Sequence, residues 1–130
     1  MEAVEQQTLV DTDVLVNFLR GKNTKLLELQ ETGIHVSAVT CFELFFGALR
    51  SQKPKQNYTQ TQKLVERVHV HPFTNQTATT AAKIHAQLLT QGNPVDIRDL
   101  FIAATALEHD LAVHTNNKKH FSKIPGLTLT

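Results

Sequence analysis

Apolar runs too short to be helices, each followed by a longer stretch with helical spacing, constrain the fold of this chain more than any other feature. Thr8 to Val10 reads as a buried strand that ends at Asp11. Val14 to Arg20 has apolar residues at 14, 15, 16, 18 and 19 and is stopped by Gly21. Thr24 to Glu31 suits a second short helix, ended by Gly33. Ile34 to Val36 predicts a strand, and Ser37 can cap a helix that runs to about Arg50. The polar stretch Ser51 to Asn57 contains Pro54 and reads as a loop, with helix again from Tyr58 to Arg67. Val68 to Val70 is a candidate strand, and Thr74 to Gln91 a long helix closed by Gly92 and Pro94. A further helix starts at Asp96 or Ile97 and continues to about His109. Leu111 to His114 is a buried strand, and Leu127 to Leu129 a candidate last one. Strands separated by helices predict an α/β fold with a mostly parallel sheet.

The 130 residues suit one domain over 1–130, without repeats or a Gly/Ser/Pro linker. A chain of this size buries roughly two-thirds of its unfolded surface, so neither metal nor disulfide is needed to hold the core. Hydrophobic residues make up 41% and charged residues 19%, a globular balance. The single cysteine, Cys41, excludes an internal disulfide. Met1 to Val10 carries two glutamates and no basic-then-apolar stretch, so no secretory signal is expected. No apolar run approaches the roughly 20 residues that span a bilayer, and a reducing cytoplasm is the expected location. The net charge of +1 argues against strong non-specific nucleic-acid binding, so any such contact must be local. Arg50, Lys53 and Lys55, and the run Lys118, Lys119, His120, are the candidates; solvated loop charge explains either group as well.

Ligands of open parallel sheets bind outside the carboxyl ends of the strands. Acidic residues at strand ends or helix starts are therefore the ones to examine. Asp11 leaves the first strand in Leu9-Val10-Asp11-Thr12-Asp13, where a carboxylate is a hard oxygen ligand suited to Mg²⁺ or Mn²⁺. Asp11 or Thr12 would serve equally as an N-cap. Glu43 is a lone charge among Val39, Cys41, Phe42, Leu44, Phe45 and Phe46. It either has a partner or cation, or faces water from an amphipathic helix. Asp96 suits a cap, and Asp99 falls in the first turn of an Ala-rich helix where it also complements the dipole. Capping explains one such acid; three in so small a chain point to a divalent-cation site of the kind that activates water against a phosphate.

Together these segments resemble the PIN-domain ribonucleases, and within them the VapC toxins of prokaryotic toxin–antitoxin pairs. The likeness covers nearly the whole chain. Leu9-Val10-Asp11-Thr12-Asp13-Val14-Leu15-Val16 is similar to the opening motif, whose third residue is more often Asn than Asp13. Ser37 to Gly47, with Glu43-Leu44-Phe45-Phe46-Gly47, resembles the second acidic motif, and Gly92-Asn93-Pro94-Val95 followed by Asp99-Leu100-Phe101-Ile102-Ala103-Ala104 the third. Thr115-Asn116-Asn117-Lys118-Lys119-His120-Phe121, then Ile124-Pro125-Gly126-Leu127, resembles the closing motif. Each motif alone is weak; four in order at fitting spacing are specific.

The resemblance implies a PIN-like twisted parallel sheet flanked by helices. It implies Mg²⁺- or Mn²⁺-dependent cleavage of RNA, often a tRNA, a homodimer, and a cognate VapB-type antitoxin that blocks the site. Carried over by position, Asp11 and Asp99 become direct metal ligands, and Glu43 ligates or positions the attacking water. Asn117 orients a ligand or water, with Thr12 and Thr115 as hydrogen-bonding supports. His120 is the departure, because the family has Asp or Glu just before the Phe. A site with one acid fewer implies weaker metal affinity or altered pH dependence, or a His120 contact to RNA phosphate. Two rivals follow from the same residues. One is a degenerate PIN domain that binds RNA or a partner without cutting. The other is a haloacid-dehalogenase-type phosphatase with Asp11 as nucleophile, in which Glu43 would have no role. His69 and His71, two apart on a strand, form a candidate metal pair.

Overall fold

The computed structural model describes residues 7–21 and 33–130; the helix expected over Thr24 to Glu31 lies outside them. Among the described residues, four three-residue strands form a sheet: β1 (Thr8–Val10), β2 (His35–Ser37), β3 (His69–His71) and β4 (Ala112–His114). Their order is β3-β2-β1-β4, and every pairing is parallel. Leu9 is in register with both His35 and Val113, which makes β1 the centre of the sheet's carboxyl edge. The expected last strand reduces to a single parallel bridge from Leu129 to Val113. It is held by Val113 N–H to Thr128 O at 2.8 Å and Thr130 N–H to Val113 O at 2.9 Å.

Six helices are described: α1 (Thr12–Leu19), α2 (Ala38–Leu49), α3 (Pro54–Val65), α4 (Asn75–Thr90), α5 (Ile97–Glu108) and α6 (Lys118–Phe121). Their starts follow from capping chemistry. Asp11 accepts from Thr12 N–H, Ser37 from Thr40 N–H and Asp96 from Arg98 N–H. Thr74 and Thr77 cap each other reciprocally at the head of α4. Pro54 corrects the expectation of a loop over Ser51 to Asn57. It stands at the first helical position, where its missing N–H costs nothing and its fixed φ suits the helix, so α3 begins four residues before Tyr58.

Successive strand residues face opposite sides of the sheet, so β1 sends Leu9 and Val10 into different cores. Leu9 joins Ala81, Leu88, Leu100, Ala103, Val113 and Phe121 beneath α4 and α5. Val10 joins Val14, Leu15, Val36, Leu44 and Leu64 beneath α1, α2 and α3. The small residues Ala103, Ala104 and Ala106 are fully buried, which lets α5 approach the sheet closely. The two layers thus bring α1, α2 and α5 to the same edge of the sheet, the edge where β1 ends.

Candidate active site

Asp11 is the first residue beyond β1. Its backbone N–H donates to His114 O at 2.9 Å, continuing the ladder with β4, and its side chain is buried. Asp11 Oδ1 accepts from Thr12 N–H at 2.8 Å and Oδ2 from Thr115 Oγ1 at 2.8 Å. Thr115 is itself fixed, because its Oγ1 accepts from Asn117 N–H at 2.9 Å. Burial pushes the Asp11 carboxyl above the usual range, and the bonds from Thr115 and Thr12 oppose that rise.

Glu43 enters from the second turn of α2. Thr12 Oγ1 donates to its Oε1 at 2.8 Å and lies 3.0 Å from Thr40 Oγ1. Thr40 Oγ1 lies in turn 3.3 Å from Ser37 Oγ, so a row of hydroxyls leads from the β2–α2 junction to Glu43. Oε2 of Glu43 meets Arg98 Nη1 at 3.4 Å, while Arg98 Nε binds Asp96 Oδ1 at 3.2 Å. Those contacts answer the question that a lone glutamate in an apolar run poses: it is half-buried and has partners on both carboxylate oxygens.

Asp99 lies in the first turn of α5 and is the most perturbed group of the three. Burial, together with the charges of Asp11, Asp96 and Glu43, pushes its carboxyl up to about 6, against a partial offset from His120. His120 Nδ1 is 3.8 Å from Asp99 Oδ2 and 2.8 Å from Asn117 Nδ2, so Asn117 and His120 close the cleft from α6. Asp96 caps α5 and pairs with Arg98, which holds its carboxyl below the usual range.

One cleft of about 250 Å³ is lined by Asp11, Thr12, Asp13, Glu43, Asp96, Arg98, Asp99, Asn117 and His120. It unites Asp11, Glu43, Asp99, Asn117 and Thr12, with Thr115 directly behind Asp11. Lys118 and Lys119 are exposed on α6 beside it. Arg50, Lys53 and Lys55 are also exposed but lie elsewhere, around the α2–α3 junction; Arg50 is two helical turns, ~10 Å, beyond Glu43, with its guanidinium over the Phe46 ring. Sequence reasoning missed Arg98, whose signal was only its place between Asp96 and Asp99. His71 Nε2 is 2.8 Å from His35 Nδ1, and its ring packs on His109; among the described residues no group of three metal-ligating side chains gathers around His69 and His71.

The carboxylates that dominate the cleft are hard oxygen donors, which suits a hard divalent cation, with the His120 imidazole beside them. Burial is the first cause of the raised Asp99 carboxyl, and the neighbouring Asp11, Asp96 and Glu43 charges add to it; a cation would relieve that second part. As the side chains stand, no three acidic, His or Cys groups among the described residues converge on one ion position. Glu43 is turned toward Thr12 and Arg98 instead.

A parallel sheet whose central strand delivers a buried aspartate into a carboxylate cleft is the framework of a metal-dependent nuclease. Residues 8–127 match the PIN domain family model. The chain is 32% identical over 122 residues to a tRNA(fMet)-specific endonuclease VapC of Shigella flexneri, covering 92% of each. It is 33% identical over 129 residues to Ribonuclease VapC1 of Methanocaldococcus jannaschii, covering 95% of this chain and 85% of that one. Among solved structures, DNA-bound VapBC from Salmonella typhimurium superposes with a TM-score of 0.89 at 29% identity, covering 97% and 98% of the two chains. The chain belongs to the VapC ribonucleases of the PIN-domain family. This replaces the phosphatase alternative, and nucleases of the PIN-domain family are in general divalent-metal dependent. No helix among the described residues is long and apolar enough to cross a membrane.

Proposed function

We propose that this chain, as one PIN domain over 1–130, is the toxin of a type II toxin–antitoxin pair in the cytoplasm, cutting RNA endonucleolytically and held in check by a VapB-type antitoxin. A tRNA is the first substrate to test, because relatives from Shigella flexneri and Salmonella typhimurium are named for tRNA(fMet). The antitoxin follows from the VapBC complexes among the structural relatives, and a homodimer from the family resemblance. The observation that carries the reading is the meeting of Asp11, Glu43 and Asp99, from three separate elements, in one cleft at the carboxyl ends of the strands.

In this reading Asp11 and Asp99 are the direct ligands of Mg²⁺, with Mn²⁺ as the alternative ion, and Glu43 either ligates or orients the attacking water. When bound, the cation supplies an acidified water and neutralises charge on the attacked phosphate. Thr12 and Thr115 hold Glu43 and Asp11 in place, and Asn117 orients a ligand or water. Lys118, Lys119 and His120 lie where an RNA strand would leave the cleft. Arg50, Lys53 and Lys55 form a second basic patch that only a long RNA contact would reach.

The test is incubation with total cellular RNA in Mg²⁺, in Mn²⁺ and in EDTA, beside an Asp11→Ala, Asp99→Ala double variant. Metal-dependent cuts at a few discrete sites, absent in the variant, are the expected result. RNA binding without cleavage in either metal would overturn it in favour of a binding-only domain.

A further inference from the structure

Five carboxylates, those of Asp11, Asp13, Glu43, Asp96 and Asp99, line the cleft, and any RNA phosphate must approach them. Among the described residues, the lining contains a single permanently charged cation, Arg98. Its side chain is 60% exposed at the mouth, whereas those of Glu43 and Asp99 are 20% and 19% exposed. A guanidinium is a planar fork of N–H donors that matches a phosphate. Here it is held by one contact to each of two carboxylates, Asp96 at 3.2 Å and Glu43 at 3.4 Å.

Resting on the ribonuclease reading above, we infer that Arg98 is the residue that receives a phosphate of the RNA, and that before RNA arrives it is parked on Glu43 and keeps that carboxylate turned from the metal position. The geometry makes the exchange inexpensive. The Arg98–Glu43 contact is long and solvent-facing, and exposed ion pairs of this kind contribute little. Glu43 also has two separate anchors. Thr12 Oγ1 holds Oε1 at 2.8 Å, so loss of Arg98 frees Oε2 without setting the side chain adrift. Arg98 is thus a substrate-binding residue whose departure leaves Glu43 Oε2 free to face a cation.

The two halves of the assignment have opposite signs in one variant. Arg98→Gln should weaken binding of fluorescein-labelled total tRNA, measured in EDTA, where no cleavage occurs. The dependence of log affinity on log salt should flatten by about one phosphate contact, a slope change of roughly 0.7–0.9. In the absence of RNA the same variant should bind Mn²⁺ more tightly, by roughly three- to fivefold in an electron paramagnetic resonance titration, since Glu43 no longer has a competing cation. Arg98→Lys should keep most of the RNA salt slope. Because Arg98 is exposed, both variants are expected to fold, and far-ultraviolet circular dichroism checks this. If the unsubstituted protein binds both ligands and Arg98→Gln matches it on both, the Arg98 assignment alone is overturned. If the unsubstituted protein binds neither Mn²⁺ nor tRNA, the ribonuclease reading falls and the assignment with it.

Discussion

Thr115 Oγ1 donates to Asp11 Oδ2 at 2.8 Å and, with the same oxygen, accepts the Asn117 N–H at 2.9 Å. One hydroxyl therefore ties the end of β1 to the loop after β4 and fixes which way the buried carboxylate points. Thr115→Val keeps the volume and removes the donor. It should cost about 1.5–3 kcal/mol of stability, the range for a hydrogen bond to a charged group, and lower RNA cleavage tenfold or more by loosening Asp11, roughly 1.4 kcal/mol of barrier. Thr115→Ser should restore cleavage. Urea unfolding and a cleavage time course check both effects, and full activity in Thr115→Val would show that Asp11 needs no such support.

Asp99 makes the metal-free protein pH-dependent in a defined direction. Its folded carboxyl is pushed from 3.8 up to about 6, so between those values the folded state binds more protons than the unfolded one. Stability must then fall as pH rises through that window and stay reduced above it. Asp99→Asn removes the penalty. The variant should match the parent near pH 4 and exceed it at pH 7.5, by about 1 kcal/mol once solvent screening is allowed for. Denaturant melts in EDTA at both pH values measure it. Saturating Mg²⁺ should erase the advantage, because only the parent gains from the ion.

Asp11 was legible because a short apolar run followed by an acid places a carboxylate at a strand end, and the N-caps Ser37 and Asp96 were legible because their chemistry is local. Pro54 misled for an instructive reason. Proline breaks a helix interior but starts a helix well, and nothing in the neighbouring sequence says which side of that boundary it occupies. The partner of Glu43 was invisible for a different reason: Arg98 is 55 residues away, and only the packing of α2 and α5 at one sheet edge joins them. The same holds for His35 and His71, whose rings meet across β2 and β3. Local chemistry reads from the chain; pairings made by topology do not.

The Ala-rich face of α5 gives a test of the fold apart from the site. Ala104 is fully buried in the core beneath α4 and α5. Ala104→Leu forces extra methylenes into that space and should cost about 1–3 kcal/mol. For a domain this size that is a fall of several degrees in Tm. A Tm within a degree of the parent would mean that α5 does not pack as closely as the buried alanines indicate.

His120 is where this chain departs from the acid expected before the Phe, and its effect on the cleft can be isolated. His120 Nδ1 lies 3.8 Å from Asp99 Oδ2, and its charge is the one influence among the neighbours that lowers the Asp99 carboxyl. His120→Asp replaces that help with a like charge. Without metal, the Asp99 carboxyl should rise further and the protein should lose stability at neutral pH, because one more anion is crowded into the cleft. With metal the sign reverses, since one more carboxylate strengthens the field on the cation. Mn²⁺ should bind roughly tenfold more tightly, and the Mg²⁺ concentration for half-maximal cleavage should fall to match, a gain of ~1.4 kcal/mol. Asn117 is expected to stay on its Thr115 contact in the variant, so that hydrogen bond does not confound the comparison. A Mn²⁺ titration together with a Mg²⁺ cleavage series decides it. Unchanged values in both would show that His120 is electrically silent toward the metal, leaving its closeness to Asp99 as packing alone.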